Sequence, residues 1–354
     1  MTPERRRAVS ILVLALIVGF VGWRLYRSHF AWGAFWRACR SVDWRLLLLG
    51  TLVLWTNFLF RAARWAVFLK PALPPGGRVY WVGLVRPQFV GFAGIAALGR
   101  FGELIRPYLV SQRTGLPLSS QVAVVAVERV FDLGAFGILF TGNLLLSTQL
   151  NTLPYSNRFH LFGFAIAGLM AVVALVLLLV AYTGERVARL TGVVADRFSS
   201  TTGAAAAARV LEFRHGLRTI GSPADFLRVA ALSLLTWLSI AGSYVLVLRA
   251  FPAPVQGMTV AEAILLMGCS VAGSVVQLPG IGGGAQVLVI SALTVLFAVP
   301  KELATSAGLI LWAITSMSVI LPGLLFARAE QLSLRGIARQ SGAAHVEAKP
   351  QPVH

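Results

Sequence analysis

Acidic residues are scarce. The chain has 354 residues, with 13 Asp and Glu against 31 Lys and Arg, and charged residues make up only 12% of it. A soluble domain carries about twice that share, which excludes an ordinary water-soluble globular protein. Cysteine is almost absent: Cys39 and Cys269 stand alone, with no CxxC pair. That excludes a disulfide framework and a cysteine zinc site. The five histidines, His29, His160, His215, His345 and His354, lie near segment ends or in the tail, and none has metal-ligand spacing with another. No metal and no cofactor is therefore expected. The net charge of +18 comes almost entirely from arginine. No RNA- or DNA-binding motif accompanies it, so nucleic acid is not an expected partner. The arginines cluster between apolar segments, where they set topology and meet anionic headgroups.

What is present is apolar sequence. Hydrophobic residues make up 57% of the chain, and several runs exceed the ~20 residues that cross a hydrocarbon core. The pattern predicts an all-α polytopic membrane protein of about eight membrane segments. Helices are expected at 8–26, 45–69, 121–147, 160–183, 225–250 and 303–327. Arg5-Arg6-Arg7 before an apolar run resembles a signal peptide, but no Ala-x-Ala cleavage site follows, so an uncleaved first helix is expected. Residues 204–221 read as a cytoplasmic helix with an apolar stripe. Residues 1–330 are expected to form one domain, and the polar segment 331–354 a disordered cytoplasmic tail.

Two apolar regions, 79–111 and 260–298, do not read as simple spans. Each is interrupted by glycines near its middle. The first contains Gly99-Arg100-Phe101-Gly102-Glu103-Leu104-Ile105-Arg106-Pro107, the second Pro279-Gly280-Ile281-Gly282-Gly283-Gly284-Ala285-Gln286. An offset of 183 positions places Gly99 on Gly282, Glu103 on Gln286, Pro117 on Pro300 and Pro71 on Pro254. Broken, glycine-rich segments in corresponding places of two halves mark the working site of transport-type membrane folds. The expected halves are 45–147 and 228–330.

Arginine-rich regions at the N-terminus, at 184–223 and after residue 328 are expected in the cytoplasm. The charge-poor connections 148–159 and 251–259 are expected outside. Helix 45–69 ends at Arg61, Arg64 and Lys70, and helix 121–147 starts after Arg113. Region 79–111 then enters and leaves on the cytoplasmic side, and region 260–298 dips in from outside. Both are re-entrant, in an inverted repeat. Residues 24–45 oppose this scheme, because five arginines fall on the outer side. Trp32, Phe35, Trp36 and Cys39 share one helical face there, which reads as a helix lying in the interface.

Ionisable groups inside a bilayer are costly unless they pair or meet water. Glu103 and Arg106 in the first broken region could line a polar cavity or decorate a cytoplasmic turn. Glu128, Arg129 and Asp132 sit within helix 121–147, with Glu128 roughly 13 Å in from Ser119 at ~1.5 Å per residue. Arg129 and Asp132, three apart, can pair. These groups read equally as a headgroup contact, a proton site or a structural ion-pair cluster. Arg61 and Arg64 on their own favour ordinary snorkelling at a boundary. Pro279 to Gln286 lacks the Lys-Ser/Thr of a nucleotide loop and reads as a close-packed turn built on Gly280, Gly282, Gly283 and Gln286.

Arg61-x-x-Arg64-Trp65, Gly99-Arg100-x-Gly102-Glu103-x-x-Arg106-Pro107, Glu128-Arg129-x-x-Asp132 and Leu278-Pro279-Gly280-Ile281-Gly282 together resemble the transmembrane region of lysylphosphatidylglycerol synthetase/flippase proteins. The resemblance covers about residues 8–328. It implies a multi-pass protein of the bacterial inner membrane that moves or handles lipids or lipid-linked sugars. The soluble domain that transfers amino acids to lipid in fused members is not expected, and neither is enzymatic activity. Arg61, Arg64, Arg100, Glu103, Arg106, Glu128, Arg129 and Asp132 become candidate contacts to an anionic phospholipid or polyprenyl phosphate headgroup. The alternative is a non-transporting accessory protein that presents its lipid to a partner membrane enzyme such as a glycosyltransferase. The family's second strip commonly ends in glutamate, where this chain has Gln286. A mechanism with a carboxylate in both halves is therefore not expected.

Overall fold

The computed structural model describes residues 30–73, 77, 79–152, 156–158, 160–161, 163–169, 172, 222–278 and 282–329. The expected helices 8–26 and 204–221, the tail 331–354 and Gly280 lie outside the described residues, and helix 160–183 lies within them only as far as residue 172.

Among the described residues the regular structure is helical except for one pair of two-residue strands. Helix α1 (Trp32–Arg40) precedes α2 (Trp44–Leu69), whose start is fixed by Asp43 accepting the Arg45 N–H at 2.9 Å. The first interrupted region forms α3 (Val85–Leu98), a 3₁₀ stretch (Gly99–Leu104) and α4 (Ile105–Thr114). The 29-residue α5 (Leu118–Leu146) follows Pro117. In the second half, Ser222 caps α6 (Pro223–Arg249) by accepting the Asp225 N–H. Helix α7 (Val260–Gly273) opens with a reciprocal cap between Thr259 and Glu262. A hairpin of β1 (Gln277–Leu278) and β2 (Gly282–Gly283) leads to α8 (Gly284–Val295). Pro300 precedes α9 (Lys301–Trp312), which passes through a π turn (Ala313–Met317) before α10 (Ile320–Ala329).

Among the described residues, four helical segments are long and apolar enough to cross a membrane: Trp44–Ala72, Trp81–Leu98, Pro223–Arg249 and Lys301–Ala329. Helix α5 is as long as any of them but carries Glu128, Arg129 and Asp132 in its middle. Large apolar side chains on the helix flanks remain exposed, among them Leu48, Leu52, Ile138, Leu238 and Leu321. Water would penalise that surface, whereas lipid tails accept it.

The limits expected for helices 45–69, 121–147, 225–250 and 303–327 shift by only a few residues. Both interrupted regions break where their glycines fall. Gly99 at φ 63° and Gly282 at φ 93° occupy backbone that side-chain-bearing residues avoid. Gly102 packs directly on the backbone of Gly94, and Gly273 on that of Gly284, so each broken region folds back on itself with no room for a methyl group.

Helices α2 and α6 share the most extensive packing. Around them the contacts come in pairs. Helix α2 touches α3 as α6 touches α7, α3 touches α4 as α7 touches α8, and α4 touches α5 as α8 touches α9. Helix α5 also reaches across to α7, and α10 reaches back to α3. The bounds of α5, moved by 183 positions, are the first residue of α9 and the last of α10.

Candidate functional site

Three helices converge on a buried cluster of five charges. Helix α2 supplies Arg61 and Arg64, one turn apart. Arg106 comes from the first turn of α4, just after the 3₁₀ break, and α5 supplies Glu128 and Asp132. None of these side chains is more than 8% exposed, and Arg64 is fully buried. Arg61 Nη1 lies 3.0 Å from Glu128 Oε1 and 2.9 Å from Asp132 Oδ2. Arg64 reaches both carboxylates, at 2.5 and 2.7 Å. Arg106 Nη2 sits 2.7 Å from Glu128 Oε2. Each carboxylate thus bridges two or three guanidiniums, an arrangement suited to arginine's planar fork of donors.

Neutral groups complete the shell. Gln88 accepts from Arg106 Nη1 at 3.0 Å, Asn57 accepts from Arg61 Nε at 3.2 Å, and Ser233 on α6 accepts from Arg64 Nη1 at 2.6 Å. Trp65 donates to Gln121 at 3.1 Å, and its ring lies 4.6 Å beneath the Arg106 guanidinium. The Phe92 ring stacks against both Arg61 and Arg106. Gly91 on α3 makes room for Arg106, whose Cβ would lie 2.6 Å from a Cβ at position 91.

Charge and donors do not balance. Arg61, Arg64 and Arg106 face Glu128 and Asp132, leaving one surplus positive charge. Four buried N–H groups also lack an acceptor: Arg64 Nε, Arg106 Nε, Gln88 Nε2 and Gln121 Nε2. Orphan buried donors are costly, and here all four favour an added acceptor.

The structure divides the candidate residues differently from the sequence. Arg61 and Arg64 do not snorkel; their heads turn inward because two carboxylates on α5 wait there. Only Lys70 remains as a surface charge at that helix end, paired with Asp225 at 3.3 Å. Arg129 does not pair with Asp132. Asp132 is held by Arg61 and Arg64, while Arg129 sits 3.6 Å from Glu103, both side chains about half exposed. Glu103 is therefore apart from the buried cluster. The Arg100 side chain lies outside the described residues. Gln286 caps α8 from within, its Oε1 accepting the Gly283 N–H, and Gly282 leaves space for its amide. Sequence reasoning missed Asn57, Gln88, Gln121 and Ser233. Their signal was there, since each is a polar side chain within an apolar helix. Among the described residues, no group of three or more His, Cys, Asp or Glu is placed to hold a metal ion.

These features define a polytopic α-helical membrane protein with a buried, net-cationic centre between broken and continuous helices. The family model described as the lysylphosphatidylglycerol synthase transmembrane region matches residues 7–323, and the chain belongs to that family. No curated protein and no solved structure matches it. Membership makes it an integral membrane protein involved in lipid handling.

Proposed function

We propose that the chain binds the anionic headgroup of a membrane lipid at the Arg61–Arg64–Arg106 cluster and carries that lipid across the bilayer. The carrying observation is the imbalance at the site: one uncompensated positive charge and four orphan donors, all buried. A phosphate oxygen would supply acceptors to the arginine and glutamine N–H groups, and its charge would offset the surplus. Glu128 and Asp132 hold the arginines in place. The ligand is an anionic phospholipid or a polyprenyl phosphate, and no covalent chemistry is needed.

The two halves, 45–147 and 228–330, form an inverted repeat in this reading. Its support is the 183-residue correspondence of helix bounds and the paired packing of α2 with α3 and α6 with α7. Rocking of one half against the other would open the cluster to each side in turn. The protein would sit in the bacterial cytoplasmic membrane with both termini inside.

Full-length protein in phosphatidylcholine vesicles tests this with fluorescent phosphatidic acid and short-chain polyprenyl phosphate. Wild type should speed transbilayer movement of one of these lipids, and Arg61→Gln and Arg106→Gln should abolish the gain. Binding without movement would instead identify a protein that presents its lipid to a partner enzyme. Movement unaffected by both variants would remove the cluster from the mechanism.

A further inference from the structure

Helices α3, α4 and α10 pack as one group. Gly323 on α10 lies directly against Ala93 and the Phe89 carbonyl of α3, with no room for a methyl group between them. Phe326, one turn on, meets the Phe89 ring at 5.5 Å and packs against Val90, Ile105 and Leu109. The group therefore joins the first broken region to the last described helix. Helix α9 is held elsewhere, with Gly308 against Ile290 of α8.

None of the described connections into this group is continuous α-helix. From α2 the chain enters through 3₁₀ turns at Lys70–Ala72 and Trp81–Leu84. It leaves to α5 through a turn at Gly115, where φ is 69°. From α9 it enters through the π turn Ala313–Met317, closed by the Ser318 N–H on the Ala313 carbonyl at 2.9 Å. Pro322 follows, with no N–H to offer the Ser318 carbonyl one turn back. None of the five π-turn residues is buried. Prolines and π turns are where helices kink, and π turns are frequent at functional sites. The matching stretch of α5, 183 positions earlier, is Val130–Gly134, with Leu139 in place of Pro322. There the helix is unbroken.

We propose that α3, α4 and α10 move as one body against α2, α5 and α6, with the π turn and Pro322 as the hinge. The charged cluster sits on the seam between the two bodies. Arg106 and Glu103 belong to the moving side; Glu128 and Arg129 face them from α5, at 2.7 and 3.6 Å. The rest of the seam is aromatic, with Trp55 and Phe58 of α2 against Phe89 and Phe92 of α3. Apolar rings can slide without stranding a polar group, so the two ion pairs are what holds the seam shut. This deepens the transport reading and rests on it in one respect: a headgroup phosphate would take the place of Glu128 at Arg106 as the seam opens. The rocking proposed above is then carried by this body rather than by a whole half.

The test uses full-length protein with Cys39→Ser and Cys269→Ser in phosphatidylcholine nanodiscs, with distances between paired spin labels read by pulsed electron resonance. Arg328→Cys with Leu227→Cys spans the seam from α10 to α6. Arg328→Cys with Ala97→Cys lies within the body. All three positions are exposed. Without added lipid, the pair across the seam should give the broader distance distribution. Phosphatidic acid should shift its mean by more than about 2 Å and leave the inner pair in place. Deleting Thr315 removes one residue from the π turn and restores a plain helix; it should narrow the distribution across the seam and abolish transbilayer movement. Pro322→Leu, which returns one N–H without shortening the chain, should narrow it part-way. A seam pair no broader than the inner pair, or a breadth unchanged by both hinge variants, overturns the proposal. Narrowing by both variants in a wild type that moves no lipid would contradict the transport reading and leave the hinge standing.

Discussion

Arg106 and Glu128 join the broken region to the long helix beside it. Their side chains meet at 2.7 Å with almost no access to solvent, over the ring of Trp65. Arg106 follows the 3₁₀ break by two residues, so this ion pair fixes where the broken segment re-enters the protein.

Breaking that pair from one side leaves a charge buried and unpaired. Glu128→Gln would leave three arginines facing Asp132 alone and should cost about 3–5 kcal/mol of stability. Unfolding in detergent measures it. Arg106→Gln in the same chain should recover part of the loss, with a coupling above ~1 kcal/mol. Strict additivity of the two substitutions would show that the residues do not interact.

The glycine contacts give a second expectation. Gly102→Ala would press a methyl group into the Gly94 backbone, and Gly273→Ala would do the same at Gly284. Each should destabilise by about 1–3 kcal/mol. Gly142→Ala in α5 meets open space and should be neutral or stabilise by up to ~1 kcal/mol. If all three have the same unfolding midpoint, the broken regions are not closely folded back.

Orientation can be read by labelling. In a chain with Cys39→Ser and Cys269→Ser, Gln112→Cys, near the end of α4, should react with an impermeant maleimide only from the cytoplasmic side. Gln256→Cys, in the connection before α7, should react only from outside. Both positions are exposed. Labelling of both from one side would contradict the inverted arrangement.

Much of the fold was legible in the sequence because apolar runs and glycine breaks are local signals. The starts of α5 and α9 were marked by Pro117 and Pro300, and the 3₁₀ break by Gly99 and Gly102. The site was legible only in part. Glu128 and Asp132 share a helix face at four-residue spacing, so their common environment could be expected. Their partners could not, because Arg61 and Arg64 lie more than 60 positions earlier and meet them only through the packing of α2 against α5 and α6. Local spacing even misdirected: it paired Arg129 with Asp132, whereas two tertiary arginines had already claimed that carboxylate. The π turn after Trp312 leaves no mark in the apolar pattern at all.

The central claim is that the buried cluster is an anion site for lipid headgroups. The most direct measurement is the affinity of full-length protein in phosphatidylcholine nanodiscs for phosphatidic acid, compared between wild type, Arg106→Gln and Arg228→Gln. Arg228 is an exposed arginine of α6, paired with Asp225 outside the cluster. The account predicts selective binding by wild type, a loss of about tenfold or more in Arg106→Gln, and a change within about twofold in Arg228→Gln. No preference for the anionic lipid in wild type, or equal losses in the two variants, would contradict it.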